Sequence, residues 1–407
     1  MSITWQDVQK SLSDKDIAIE FVEFPVLKSD SIMYAALMLR KDWEHPQMIP
    51  LFEKKQIEPY LQQTPDKQYS GNVGKQLYEL MWKPLEKVIQ KGDNVYFSAA
   101  GVYHQLALEY FPSDNGTPLC DLYHLRRLSS TRQLVMEESN AIVKNATLYG
   151  GIEYDMNPTQ MLAESKKYAQ DESLFAYRGM SLDSLRGSRW VSLDNTVPEV
   201  SFISTELEQN KVKTDVFTGI EANEESFKDL SGKKVNILHL ATHGFFLPIE
   251  EIRKIDYFQM LGRDNNPTPD MSMRRSGLVM AGGNRAWSGD TIPEGVDDGI
   301  LTAQEISVLD FRDMDLVVLS ACETGLGDIN TSEGVFGLQR AFKKAGAKTL
   351  VMSLWKVNDE ITKSLMNKFY QSLFTGKSKH EAFLEAQQFI RSRHPEPQNW
   401  AAFIMLD

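Results

Sequence analysis

Three apolar runs, each followed at once by polar residues that carry chemistry, constrain the fold of this chain more than any other feature. The runs are VNILHLATHG (235–244), MDLVVLSACETG (314–325) and TLVMSLWKVND (349–359). Amphipathic segments separate them, one of which opens on a capping pattern formed by Thr302 and Glu305. Continuous apolar strands that alternate with amphipathic helices are typical of a mostly parallel sheet covered on both faces. The sequence therefore predicts an α/β fold.

The N-terminal third of the chain has a different character. IAIEFVEF (17–24) and SIMYAALMLR (31–40) are typical of two paired strands, and NVYFSAAGVYHQLALEY (94–110) is typical of a hairpin. We therefore expect a smaller α+β subdomain over residues 1–135, with a regulatory or structural role. The α/β domain that carries the chemistry is expected over residues 136–407.

His243 and Cys322 each lie just past the end of an apolar run. Because ligands bind at the carboxyl ends of strands in parallel α/β sheets, the two side chains converge if their strands are neighbours. An imidazole beside a thiol can take its proton and later protonate a leaving amine. The backbone N–H groups of Gly244 and Cys322 are the natural donors to a tetrahedral oxyanion. His239 shares the strand face of His243, and we interpret it as a supporting residue.

Charge and cysteine content narrow the classes of function. A formal charge of −12 argues against direct nucleic-acid binding, which leaves a basic footprint. Two cysteines, Cys120 and Cys322, are too few for a disulfide framework, so we expect a cytoplasmic location. No run approaches about 18 apolar residues, and we expect no membrane span. The sequence contains no zinc-type Cys/His spacing and no P-loop, so we expect neither a metal nor a cofactor.

Four segments, in order, resemble the CHAT domain family, which is named for caspase-like peptidases associated with tetratricopeptide (TPR) repeats. They are HLATHGFF (239–246), DGILTAQEISVLDF (298–311), LVVLSACETGLGD (316–328) and EGVFGLQRAFKKAGAKTLVMSLWKVND (333–359). The resemblance implies the caspase–hemoglobinase α/β/α sandwich with a mostly parallel central sheet, shared with separase. In that fold the catalytic histidine and cysteine follow the third and fourth strands, positions that His243 and Cys322 match.

The segment WKVND (355–359) is similar to the Trp-Asp-Val-Thr-Asp segment of separases, in which an acid engages an arginine before the cut. Asp359 matches that acid, while Lys356 replaces the other aspartate. The resemblance implies a basic or extended uncharged residue before the scissile bond. The alternative is that Asn358 or Asp359 simply caps the following helix.

The residues around Cys322 depart from caspases, which have Ala-Cys-x-Gly after the strand. Here Ala-Cys-Glu-Thr-Gly (321–325) has one more residue, so the caspase preference for aspartate does not carry over. Glu323 and Asp328 are further candidates for shaping the substrate pocket.

These observations predict a cysteine endopeptidase that cleaves a specific protein partner through a thioester acyl-enzyme. The chain contains no internal repeat. Regulation would therefore come from a separate TPR-containing or other regulatory partner, or from further parts of a longer polypeptide. Two alternatives stay open: a catalytically silent caspase-fold scaffold that binds protein partners, and a Cys-dependent acyltransferase.

Overall fold

The structure is a computed structural model that describes residues 3–27, 29, 31–136, 142–168, 189–246, 273–320 and 332–407, with the backbone alone at 332–336. It contains two compact units. Unit 1 comprises Met1–Asn140 and Arg391–Asp407, and unit 2 comprises Ala141–Ile390.

The strands and helices of the described residues are numbered along the chain. The strands are β1 Asp16–Pro25, β2 Ile32–Leu39, β3 Gln47–Glu53, β4 Asn94–Ser98, β5 His124–Leu128, β6 Asn145–Ile152, β7 Lys213–Gly219, β8 Ile237–Leu240, β9 Gly244–Phe246, β10 Ser276–Val279, β11 Ile300–Thr302, β12 Leu316–Leu319, β13 Thr349–Ser353 and β14 Phe403–Leu406. The helices are α1 Trp5–Ser11, α2 Lys54–Leu61, α3 Pro65–Gln68, α4 Gly71–Met81, α5 Pro158–Ser165, α6 Thr196–Gln209, α7 Glu224–Lys228, α8 Gly283–Trp287, α9 Ala303–Ile306, α10 Ser332–Ala345, α11 Asp359–Leu373, α12 Lys379–Arg391 and α13 Pro397–Trp400.

Within unit 1 the strands lie in the order β3-β2-β1-β4-β5-β14. The predicted antiparallel pairing of the first two strands is confirmed, with Phe21 opposite Ala36. On its other side β1 pairs in parallel with β4, and β4 pairs in parallel with β5. The sheet of unit 1 is therefore mixed, with antiparallel and parallel pairs.

The hairpin predicted over residues 94–110 is wrong. β4 is a single strand, and 3₁₀ turns at Gly101–Gln105 and Leu108–Tyr110 follow it. The ring of Tyr103 stacks on Phe21 with centroids 3.8 Å apart, and the last five residues of the segment are all buried. Burial of consecutive residues does not fit the alternation of a half-exposed strand. The segment therefore covers the sheet and does not extend it.

Within unit 2 the strands lie in the order β13-β12-β8-β6-β7, and each of these pairs is parallel. A second, antiparallel sheet contains β11, β10 and β9 in that order. β8 and β12 are neighbours in a register that places Leu240 beside Leu319. The predicted mixed α/β fold with a mostly parallel sheet is confirmed.

Local sequence signals explain where several helices begin. Thr302 and Glu305 form the predicted capping box: the Glu305 carboxylate accepts from the Thr302 N–H at 2.8 Å, and the Thr302 hydroxyl accepts from the Glu305 N–H at 3.2 Å. Ser378 and Glu381 form the same reciprocal pair ahead of α12. Each box satisfies N–H groups that the first helical turn leaves without intrahelical partners.

Two glycines at the end of β6 let α6 approach the sheet. Gly151 has a φ of +59°, and its N–H donates to the Thr196 hydroxyl at 2.8 Å. A Cβ on Gly150 would lie 2.7 Å from the Val200 side chain. A side chain at Gly150 would therefore displace the helix, and the positive φ of Gly151 favours glycine there. This close packing fixes the position of Glu199 on α6.

Candidate active site

His243 lies at the carboxyl end of a central strand of unit 2. It is the third residue after Leu240, the last residue of β8, and it is 1% exposed. Its carbonyl oxygen accepts from the N–H of Val279 at 2.9 Å, and the N–H of Ala241 donates to Tyr149 at 2.8 Å. Backbone hydrogen bonds on both sides of the residue therefore fix where its side chain starts.

The imidazole of His243 is oriented by a backbone carbonyl. Its Nε2 lies 2.7 Å from the carbonyl oxygen of Val191. A carbonyl oxygen can only accept, so Nε2 carries a hydrogen and donates it. In the neutral ring, Nδ1 is then the nitrogen that can take up a proton. Sequence reasoning missed Val191, because its contribution is a carbonyl group that every residue has.

Aromatic side chains hold the plane of the His243 ring. The ring centroids of Tyr154 and Trp190 lie 5.1 and 5.0 Å from that of His243. Trp287 in turn packs against Trp190 with centroids 4.9 Å apart. The Tyr154 hydroxyl lies 3.0 Å from the Thr242 hydroxyl, and this hydrogen bond fixes the Tyr154 ring beside His243. The buried imidazole is thus held between apolar faces and one polar contact.

Cys322, Glu323 and Asp328 lie outside the described residues. Gly244, the predicted oxyanion donor, is described: it begins β9 and pairs with Leu278 of β10. The roles of all four residues stay predictions.

The strand that leads to Cys322 is described up to Ser320. The N–H of Ser320 donates to the carbonyl of Leu240 at 2.9 Å, so the parallel pairing continues past the end of β12. Along the sequence, Cys322 is the third residue after β12, as His243 is the third residue after β8. The two predicted catalytic residues therefore follow adjacent parallel strands by the same number of positions.

A small cleft, with room for about one water molecule, lies beside Ser320. Its lining residues are Leu193, Asn195, Thr196, Glu199, Ser320, Asp359 and Thr362. The capping role proposed for this segment belongs to Asn358, whose side chain accepts from the Glu360 N–H at 2.9 Å. Asp359 is the first residue of α11, and its position on the cleft is compatible with contact to a bound group.

A second acid on this cleft, Glu199, is buried and bound to a histidine. Its Oε1 lies 2.8 Å from Nε2 of His239, whose Nδ1 lies 3.3 Å from the Tyr370 hydroxyl. His239 is fully buried and hydrogen-bonded, which fits its interpretation as a supporting residue. Burial, with a further contribution from Glu199, raises the pKa of Tyr370 well above its ordinary value. Glu199 carries no motif in the sequence, so only packing reveals it.

Among the described residues, no group of three or more His, Cys, Asp or Glu side chains could hold a metal ion. No helix of the described residues has the length and the apolar character that a membrane span needs.

Among known proteins, two relatives match about a quarter of this chain. Tetratricopeptide repeat protein 28 of Mus musculus is 34% identical over 110 residues, and the Homo sapiens protein is 34% identical over 109 residues. Each match covers 26% of this chain and 4% of the relative, so the chain spans a small part of their length.

Two crystal structures of the Saccharomyces cerevisiae separase–securin complex, at 2.6 and 3.0 Å resolution, match with a TM-score of 0.39. Their identities to this chain are 11% and 12%, over 90% of this chain and 21% of the matched chain. The model of the CHAT domain family matches residues 71–407, which is most of the sequence. The chain therefore belongs to the CHAT domain family.

Proposed function

We propose that this protein is a cysteine endopeptidase that cleaves a protein partner with His243 and Cys322. The observation that carries the proposal is the imidazole of His243, buried and oriented at the end of β8 by the Val191 carbonyl. Along the sequence, Cys322 is the third residue after the neighbouring parallel strand, β12. Membership of the CHAT domain family agrees with this assignment.

In the proposed reaction, His243 takes the proton of the Cys322 thiol, and the thiolate sulfur attacks the carbonyl carbon of the scissile peptide. The N–H groups of Gly244 and Cys322 stabilise the oxyanion. As the C–N bond breaks, the imidazolium protonates the leaving amine, which leaves a thioester. A water molecule then gives a proton to His243 while its oxygen attacks the acyl carbon of the thioester. The C–S bond breaks, the sulfur takes the proton back from His243, and the carboxylic acid is released.

Recognition of a basic side chain before the cut is the second part of the proposal. Asp359 and Glu199 line the cleft next to Ser320, two residues before Cys322. Two carboxyl groups in one cleft favour a cationic side chain over an apolar one. Glu323 and Asp328 are proposed to complete the pocket. A TPR-containing or other regulatory protein is proposed to control access to it.

Incubation of the purified protein with a peptide library tests the activity. We expect cleavage that is lost in Cys322→Ala and in His243→Ala. Cys120→Ala is the matched control, because burial and the neighbouring Asp121 raise the pKa of the Cys120 thiol to about 12 and keep it protonated. Binding of peptides without turnover, unchanged by Cys322→Ala, would favour a scaffold. Transfer of the acyl group to an added amine in preference to water would favour an acyltransferase.

Substitution of Asp359 tests the specificity. Because an ionic hydrogen bond in a cleft contributes about 1.5–3 kcal/mol, we expect Asp359→Ala to lower kcat/KM for cleavage after Arg or Lys roughly 10- to 100-fold. Glu360→Ala is the control, since Glu360 is the next acid on α11 and is exposed. An unchanged preference for basic residues in Asp359→Ala would discard this assignment.

A further inference from the structure

The Val191 carbonyl that meets His243 lies on a segment without regular secondary structure. Residues 189–193 belong to no helix or strand, and the Val191 side chain is 68% exposed. An exposed side chain does not anchor its own backbone. The carbonyl can orient His243 reproducibly only if another group holds this segment in place.

Two contacts hold this segment: Arg189 forms an ion pair with Asp155 at 2.5 Å at the exposed start of the segment, and Asn284 binds its buried backbone. The Asn284 Oδ1 accepts from the N–H of Trp190 at 2.8 Å, and its Nδ2 donates to the carbonyl of Trp190 at 2.9 Å. Nδ2 also donates to Oδ1 of Asp155 at 3.0 Å. The N–H and C=O of Trp190 fix which end of the amide is oxygen and which is nitrogen. The side chain therefore binds the backbone next to Val191 as a neighbouring strand would.

Asn284 is itself rigidly placed. It is fully buried near the start of α8, and its N–H donates to the carbonyl of Tyr154 at 3.1 Å. The turn before it is tight: Gly282 has a φ of +82°, and a Cβ on Gly283 would lie 2.8 Å from the Gly299 carbonyl oxygen. This turn therefore favours glycine at both positions, and it aims Asn284 at Trp190.

The contacts form one chain from Asn284 to the catalytic imidazole. Trp190, held on its backbone by Asn284, packs its ring between His243 and Trp287. The next residue, Val191, supplies the carbonyl bound to Nε2. We propose that Asn284 is a positioning residue that fixes the His243 ring with hydrogen on Nε2 and leaves Nδ1 to accept the proton. The consequence for turnover rests on the proposed function, whereas the consequence for the imidazole does not.

The imidazole can be read directly by ¹⁵N NMR of histidine-labelled protein, with His243 assigned from a His243→Gln spectrum. In the unaltered protein at a pH where the ring is neutral, we expect the Nε2–H tautomer. In Asn284→Ala, the loss of both bonds to Trp190 should give a mixture of the two tautomers. Asn284→Asp has the same shape but replaces the amide donor by a second oxygen facing the Trp190 carbonyl, so it should give the same mixture.

Two controls separate positioning from general damage. Asn236→Ala removes another amide that bridges backbone segments, since Asn236 Oδ1 accepts from the Lys144 N–H at 2.8 Å. Asn236 precedes β8, at the opposite end of the strand from His243, so its loss should leave the tautomer unchanged. Val191→Ala should also leave it unchanged, because the backbone carbonyl remains.

Kinetics provide the second readout. We expect Asn284→Ala to lower kcat roughly 10- to 100-fold, with a smaller change in KM because Asp359 and Glu199 lie on helices α11 and α6, outside the segment that Asn284 holds. A single Nε2–H tautomer in both folded Asn284 variants would overturn the proposal, as would a loss of kcat no larger than that of Asn236→Ala. If Asn284→Ala does not fold, the tautomer of Asn284→Asp decides. A tautomer shift in a protein without peptidase activity would support positioning and refute the proposed function alone.

Discussion

Among the described residues, each unit contains a cationic side chain that is buried against carboxylates, and the two clusters differ in how their charges balance. In unit 1 the Arg127 guanidinium binds both oxygens of Glu109, at 3.0 and 2.8 Å. Its remaining donors bind the carbonyls of Tyr103 and Leu106 at 3.1 and 2.8 Å. One positive charge thus meets one negative charge, and these bonds use four of the five N–H donors of the arginine.

In unit 2 one lysine faces three carboxylates. Lys228 Nζ lies 2.6 Å from Glu224, 3.1 Å from Asp297 and 3.2 Å from Glu305, and all four side chains are buried. Burial alone would lower the pKa of Lys228, but the three carboxylates together raise it above its ordinary value. Burial also raises the pKa of Glu224 well above the usual range. This cluster therefore holds more acid than its single cation can balance.

This difference in charge balance predicts how strongly each unit depends on its buried cation. The balanced pair in unit 1 joins one positive and one negative charge. Carboxylates in and next to the acidic cluster also bind backbone N–H groups. Glu224 accepts from the Gly299 N–H at 2.9 Å, and the adjacent Glu225 accepts from the Asp297 N–H at 3.0 Å. These bonds hold the entry to β11 in the small antiparallel sheet that also contains β9, directly after His243. Unit 2 should therefore respond to loss of its buried cation more strongly than unit 1.

The largest effect is expected for Lys228→Met. Removing one partner of a buried ion pair typically costs about 3–5 kcal/mol. Here three carboxylates lose the cation that they share, so the upper end applies. Urea denaturation measures the free energy of unfolding. Lys213→Met, at an exposed lysine, is the control and should cost less than about 0.5 kcal/mol. A loss in Lys228→Met no larger than in the control would remove the basis of the comparison.

A smaller effect is expected for Arg127→Met in unit 1, about 3 kcal/mol, because only one carboxylate is left without its partner. The double variant Arg127→Met with Glu109→Leu should recover most of that loss, since neither charge remains. The corresponding pair Lys228→Met with Glu224→Leu should not recover, because two carboxylates remain. Equal recovery in both units would show that charge balance does not distinguish them.

The smallest effect concerns pH and Asp298. Burial, and then the nearby Glu305, raise the pKa of Asp298 from 3.8 to about 7. The folded state then binds more protons than the unfolded state between these values. The stabilisation is complete below the lower value and is lost as pH rises through about 7.

Asp298→Asn cannot titrate but keeps the acceptor for the Ile300 N–H. Between about pH 4 and pH 7 we expect the free energy of unfolding to fall less in this variant than in the unaltered protein. The difference should be only about 1–2 kcal/mol, because Asp298 is only partly buried. Denaturation curves across that range measure it, with the exposed Asp313→Asn as the control. Identical pH dependence in Asp298→Asn and the unaltered protein would contradict the raised pKa.

Some of the fold was readable because its signals are local. Apolar runs marked β8, β12 and β13, and the Thr302–Glu305 box marked the start of a helix. The predicted hairpin over 94–110 failed for a physical reason: its apolar residues do serve the core, but they cover a sheet face, and periodicity alone does not separate that from pairing.

The candidate site was partly readable. The position of His243 after a strand and its place in the family pattern pointed to it directly. The residues that orient it did not: Asn284 lies 41 positions along the chain, and Val191 acts through its backbone. Glu199 reaches the cleft because Gly150 and Gly151 admit α6 to the sheet.

The sequence by itself determined the class of fold, the family and the two apolar strands that His243 and Cys322 follow along the chain. Hydrophobic period, helix caps and motif order are properties of neighbouring residues, so they survive without a structure. Tertiary structure alone decided which carbonyl meets the imidazole and which carboxylates surround Lys228. Those partners are distant in sequence, and packing of whole strands and helices is what brings them within hydrogen-bonding distance.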